Sequence, residues 1–89
     1  MAHGAVKFPA IFSDGAVLQR DREVAVWGWA GPGKSVHVTF GQQKKQATAA
    51  DDGAWMVELD AMPASAEGRE IRAVEEGGAE AVVKDVLVG

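Results

Sequence analysis

The stretch Val24-Ala-Val-Trp-Gly-Trp-Ala-Gly-Pro-Gly-Lys-Ser-Val-His-Val-Thr-Phe40 decides the fold. Within it, Gly28 through Ser35 satisfies G-x-x-x-x-G-K-S, the spacing of the phosphate-cradling loop of nucleotide hydrolases. That loop requires a helix after the Lys-Ser pair, whose free N-terminal amides and dipole meet the phosphates. Here the residues that follow are Ser35-Val-His-Val-Thr-Phe40, alternating polar and apolar with period 2 and rich in β-branched side chains. Pro32 also removes one N–H from the stretch that would face phosphate. Gly28–Ser35 is therefore read as a loop joining two strands, with no nucleotide site.

Working outward, apolar residues recur at spacing 2, and Gly, Asp and Pro punctuate the chain at short intervals. No helical stripe is present. This pattern predicts an all-β fold, an antiparallel β-sandwich of about seven to eight strands. The predicted strands are Val6–Phe8, Ala16–Leu18, Val24–Trp29, Ser35–Phe40, Lys44–Ala49, Ala54–Leu59, Glu70–Glu75 and Ala81–Val88. Asp51-Asp52-Gly53 and Gly77-Gly78 are expected as tight turns, where glycine supplies positive φ. Ala61–Gly68 is the longest connection and is expected to cross between sheets.

Alternation assigns faces. Val36, Val38 and Phe40 should face the core with Trp55, Val57 and Leu59, opposed by Ile71 and Ala73. In the last strand, Val82, Val86 and Val88 are placed on one face and Ala81, Val83 and Leu87 on the other. Apolar on both faces, that strand is expected inside a sheet, ordered and hydrogen-bonded, rather than at an exposed edge. Val24–Trp29 is also apolar on both faces: Val24 and Val26 point one way, Ala25, Trp27 and Trp29 the other. Such a strand is covered twice or presents an apolar face to something outside the chain.

The 89 residues fit one domain that buries about two-thirds of its unfolded surface. A 47% hydrophobic content argues against disorder. Met1–Ala5 is expected to be a disordered start or cloning remnant, and 6–89 a single β-sandwich domain. No run approaches the roughly 20 apolar residues of a membrane helix, and no membrane partner is expected. The start has no charged-then-apolar signal segment, which predicts either a cytoplasmic chain or one whose signal has been removed. The net charge of −4 argues against a nucleic-acid partner, since duplex binding is led by Lys and Arg.

Candidates for chemistry are few. With no cysteine, thiolate metal sites and cysteine nucleophiles are excluded. His3 falls near the start, and His37 on a polar strand face, neither with an evident partner. Ser13-Asp14-Gly15 reads as a turn, without the strand-to-helix elbow of a serine nucleophile. Asp51-Asp52 lacks the oxygen count and spacing of a calcium loop. Glu67, Glu70, Glu75, Glu76 and Glu80 read as a solvated face. No catalytic residue, metal ligand or cofactor site is assigned. Trp27 and Trp29 remain as the candidate contact residues: they stack on sugar rings, fill the core or pack on a neighbouring domain.

Pro9-Ala-Ile-Phe-Ser-Asp-Gly15, Val17-Leu-Gln-Arg20, Val26-Trp-Gly-Trp-Ala30, Pro32-Gly33, Asp52-Gly-Ala-Trp55 and Lys84-Asp-Val-Leu-Val-Gly89 occur in that order. The ordered set, spanning roughly residues 7 to 89, resembles the amino-terminal region of bacterial sialate O-acetylesterases, the sialic-acid-specific 9-O-acetylesterases. Two positions depart from it: Ala16 stands where Met is expected, and Gly31 where Asp is common. The resemblance implies an immunoglobulin-like sandwich preceding an SGNH-type hydrolase domain of the same polypeptide. It also implies a bacterial periplasmic or secreted setting. The nucleophile block of that hydrolase, Gly-Gln-Ser-Asn, lies beyond this chain, so no catalytic residue carries over. Two functions follow as expectations. One is a non-catalytic module of a carbohydrate esterase, docked on its hydrolase domain through the Trp face or the terminal strand. The other is an autonomous carbohydrate-binding module that uses Trp27 and Trp29 on a glycan.

Overall fold

The computed structural model describes residues 6–89, so the expectations for Met1–Ala5, His3 included, lie outside the described residues. Seven strands are formed: β1 Val17–Leu18, β2 Val24–Trp29, β3 Ser35–Phe40, β4 Gln43–Thr48, β5 Ala54–Leu59, β6 Ser65–Glu75 and β7 Glu80–Val88. They make a five-stranded sheet in the order β1-β7-β6-β3-β4 and a two-stranded sheet of β2 and β5. The described residues contain no helix, and the two sheets enclose one core.

Period-2 alternation builds that core. Val36, Val38 and Phe40 of β3 are buried together with Ile71 and Ala73 of β6 and Val83, Val86 and Val88 of β7. Against them stand Val26 of β2 and Trp55, Val57 and Leu59 of β5. The edges of the large sheet are blunted in two ways that disfavour pairing with other chains. β1 is only two residues long, and β4 carries Lys44 and Lys45.

Four details differ from the expectations. Val6–Phe8 is not an eighth strand but a single bridge, Lys7 to Trp29, with Lys7 N–H donating to the Trp29 carbonyl and the reverse. The sheet is antiparallel except that β1 runs parallel to β7. β6 begins at Ser65, so the crossover between sheets is only 60–64, and Ser65 pairs with Val88. Finally, the face assignment in β7 slips. Ile71 pairs with Val83 but Arg69 with Val86, which gives β7 one extra residue at Lys84-Asp85. Asp85 takes φ 56°, the left-handed conformation that Asp tolerates better than branched residues. Val83 rather than Val82 therefore joins Val86 and Val88 inside.

β7 itself lies inside the sheet, between β1 and β6, as its two-sided apolarity predicts. Asp14 fastens its bulge: the Oδ1 accepts the Lys84 N–H at 2.8 Å, and the Lys84 carbonyl accepts Gly15 N–H at 2.9 Å.

Trp55 is the largest side chain that the smaller sheet contributes to the core, and it is almost wholly buried. Truncating a buried aromatic removes transfer energy and leaves a cavity. Trp55→Ala is expected to destabilise the chain by about 3–5 kcal/mol, read by denaturant titration. A variant unfolding at the same denaturant concentration as the parent would refute the placement of Trp55 in the core.

Candidate functional site

The outer face of the small sheet gathers the exposed apolar side chains. The antiparallel register sets Trp27 opposite Met56 and Trp29 opposite Ala54, all pointing away from the core. Trp27 is 37% exposed, Trp29 45% and Met56 56%. The indoles are therefore not buried in the core, as one expectation held, but half-open on the outer face of the small sheet. Ala25 and Glu58 complete that face toward the other end of the strands.

Aromatic contacts tie this face to the interior. Trp55 meets Phe8 edge-on at 5.8 Å between ring centroids, Phe8 meets Phe12 at 6.3 Å, and Phe12 meets Trp27 at 4.9 Å. Edge-to-face pairs of this kind contribute about 0.5–1.5 kcal/mol each beyond burial. Trp27 is thereby held in place by the Phe12 ring. Gly28, between the two indoles, faces inward against the Lys7 carbonyl and the Trp55 ring, and a Cβ there would collide with both. No other residue lets the Val6–Phe8 segment lie this close to β2.

The backbone of the loop Gly31–Lys34 is not arranged as its glycine-lysine pattern would require for phosphate. Its amides are already taken. Gly31 N–H donates to Glu75 Oε1 at 2.7 Å, Gly33 N–H to the Ala49 carbonyl and Lys34 N–H to the Gly31 carbonyl. Ser35 N–H points to Glu76 Oε1 at 3.3 Å. Two carboxylates thus occupy the place where an anion would need donors. Glu75 is a correction to the solvated-face reading: it is 5% exposed and ties the loop to the end of β6. Alternation along β6, in which Ile71, Ala73 and Glu75 share a face, could have shown it.

Other candidates stay apart. His37 is exposed on β3 opposite Gln46, and Ser13 is exposed in the turn before β1. Glu70 and Glu80 flank Arg72 at 3.0 and 2.8 Å, and the hydrogen bond that Arg72 donates to Glu80 leads in holding its guanidinium more firmly protonated. These are exposed pairs on the outer sheet surface, worth little to stability. Among the described residues no three His, Cys, Asp or Glu side chains gather as metal ligands, and no helix is long and apolar enough to cross a membrane.

No family model matches the chain, and no curated protein matches it. Among solved structures it is similar to a carbohydrate acetylesterase from Xanthomonas citri, with a TM-score of 0.88 and 39% sequence identity over 96% of this chain. The chain spans 19% of that enzyme's chain. At this TM-score and identity the two share the fold of the module.

Two substitutions separate the loop's structural role from a nucleotide role. Lys34→Ala should leave stability within about 0.5 kcal/mol of the parent, as at other exposed positions. Glu75→Ala should cost about 1–3 kcal/mol, because the Gly31 N–H loses a charged acceptor. Saturable ATP binding that disappears in Lys34→Ala would overturn this reading of the loop.

Proposed function

We propose that this chain serves as a non-catalytic β-sandwich module of a carbohydrate acetylesterase. The likeness to the Xanthomonas citri enzyme over nearly the whole module carries this reading. The dispersal of Ser13, His37 and the carboxylates supports it, since ester hydrolysis by a serine enzyme needs nucleophile, base and orienting acid within hydrogen-bond reach. The reaction belongs to an SGNH-type hydrolase domain of the same polypeptide. Its substrate class is an O-acetylated sugar, sialic acid or one similar, as the likeness to sialate O-acetylesterases implies. In that setting the sandwich is immunoglobulin-like, and the module positions the catalytic domain or its substrate.

One observation favours a second reading, an autonomous carbohydrate-binding module. Trp27 and Trp29 are half-exposed side by side on one strand, and indole faces stack on the apolar faces of sugar rings.

Acetate release decides the first reading. The 89-residue chain should hydrolyse 4-nitrophenyl acetate and O-acetylated sialic acid only at background rate, whereas a longer polypeptide carrying the hydrolase domain should release acetate. Activity of the 89-residue chain that a single substitution within residues 6–89 removes would refute the non-catalytic role. For the second reading, tryptophan fluorescence is followed during titration with acetylated oligosaccharides. A binding module would lose roughly ten-fold in affinity on Trp29→Ala, the equivalent of about 1.4 kcal/mol. An unchanged signal at millimolar sugar would dismiss it.

A further inference from the structure

Register fixes a pattern of charge on the outer face of the small sheet. Lys7 and Trp29 exchange both main-chain hydrogen bonds, so the Lys7 side chain stands beside Trp29 on that face. Phe8, next in the chain, turns inward to the Trp55 ring, as alternation requires. Across the sheet, Glu58 stands opposite Ala25. The face therefore carries a cation at one corner, Trp27, Trp29 and Met56 across its middle, and a carboxylate at the opposite corner. Lys7 and Glu58 are exposed, and neither joins an ion pair among the described residues. Asp51 and Asp52 lie past the face, in the turn beyond Ala54, where Asp52 Oδ1 accepts the Ala54 N–H at 3.0 Å. Arg22 and Glu23, just before β2, offset each other's charge.

Trp27 is the centre of this pattern. Lys7 lies two residues along and one strand across from it, and Glu58 the same distance in the opposite sense. At the usual rise and strand spacing, each is about 8 Å from Trp27, and the two are about 17 Å apart. Consider a two-fold axis in the plane of contact, over Trp27 and at right angles to the Lys7–Glu58 line. It brings Lys7 of one copy onto Glu58 of the other, and the reverse. The same rotation sets Trp29 against Met56 and the two Trp27 rings against each other, with the strands crossing steeply as in orthogonal sheet packing. Opposite charges meet at both corners, and indole meets thioether and indole between them. An isologous contact requires this self-complementarity.

We propose that the outer face of β2 and β5 pairs with the same face of a second copy of this chain. Tryptophan and methionine are enriched in the centres of such contacts, with charge at the rim. Phe12 already holds the Trp27 ring, which lowers the ordering cost of association. A sugar stacked on the indoles makes no use of the two-fold placement of Lys7 and Glu58. The face is three strand positions wide and six residues long, so it buries far less than the roughly 800 Å² per partner of a stable complex. The dimer is therefore weak, with a Kd of about 0.1–1 mM. Self-association of this kind does not depend on the esterase reading.

Sedimentation equilibrium of the 89-residue chain, from about 20 μM to about 2 mM, spans that Kd. The apparent mass should rise from one chain toward two. Lys7→Glu and Glu58→Lys each place like charges at both corners and should weaken the dimer about ten-fold, while melting of the chain stays nearly unchanged. The double variant Lys7→Glu/Glu58→Lys should restore parental association, and about 1 M salt should weaken the parent. A chain that stays monomeric throughout would overturn the proposal. So would a dimer that neither single variant weakens, or one that the double variant fails to restore. Binding of an acetylated oligosaccharide at Trp29 by a chain that never dimerises would give the face to the sugar instead. Acetate release is not read in this experiment, so its outcome leaves the esterase reading to its own test.

Discussion

Everything in this molecule depends on the burial of one face of a two-stranded sheet against a five-stranded one. An isolated pair of strands is marginal in water. β2 and β5 are held because Val26, Trp55, Val57 and Leu59 exclude water against Val36, Val38, Phe40 and Ile71. A polar corner closes the same contact at one side. Gln43 exchanges two hydrogen bonds with the Asp60 backbone, and Lys45 reaches the Asp60 carboxylate at 2.9 Å. These exposed contacts fix alignment more than they add stability. Because the small sheet has only two strands, Trp55 supplies much of its apolar area. The indole N–H of Trp55 is buried without a partner among the described residues, a polar cost set against that area.

Where alternation is unbroken, the sequence is enough to read the fold. β2, β3 and β5 have the predicted limits, and every core face assigned to β3 and β5 is correct. Alternation fails where the backbone changes its count. Lys84-Asp85 reads as a charged interruption, but only the left-handed Asp85 shows that a residue has been inserted and the inward parity shifted. Ala61–Gly68 reads as the longest connection, yet Ser65–Gly68 belongs to β6. It is a strand because Val88 and Val86 lie alongside to pair with Ser65 and Arg69, a long-range circumstance that local composition does not encode. Glu75 alternates with Arg and Gly as a solvated face would, but its spacing from Ala73 and Ile71 places it inside.

The candidate site was legible in one respect. The parity of Val24–Trp29 set Trp27 and Trp29 on the face opposite Val26, and there they are. What parity could not supply was coverage. Exposure of that face follows from the number of strands and layers, which is a property of the whole chain. The aromatic succession from Trp55 through Phe8 and Phe12 to Trp27 was equally hidden, since Phe8 and Phe12 belong to a segment with no repeating pattern.

The two sheets differ in how firmly the chain itself holds them. β7 lies between β1 and β6 and is pinned through Asp14 at its bulge. Gly89 extends the β1–β7 pairing, donating to the Leu18 carbonyl and accepting the Arg20 N–H. β2 and β5 have only each other as strand partners, so the placement of Trp27, Trp29 and Met56 on their outer face rests on the inward packing of Val26, Trp55, Val57 and Leu59. A substitution that loosens those four side chains therefore disturbs the indole face as well, although none of them is exposed on it.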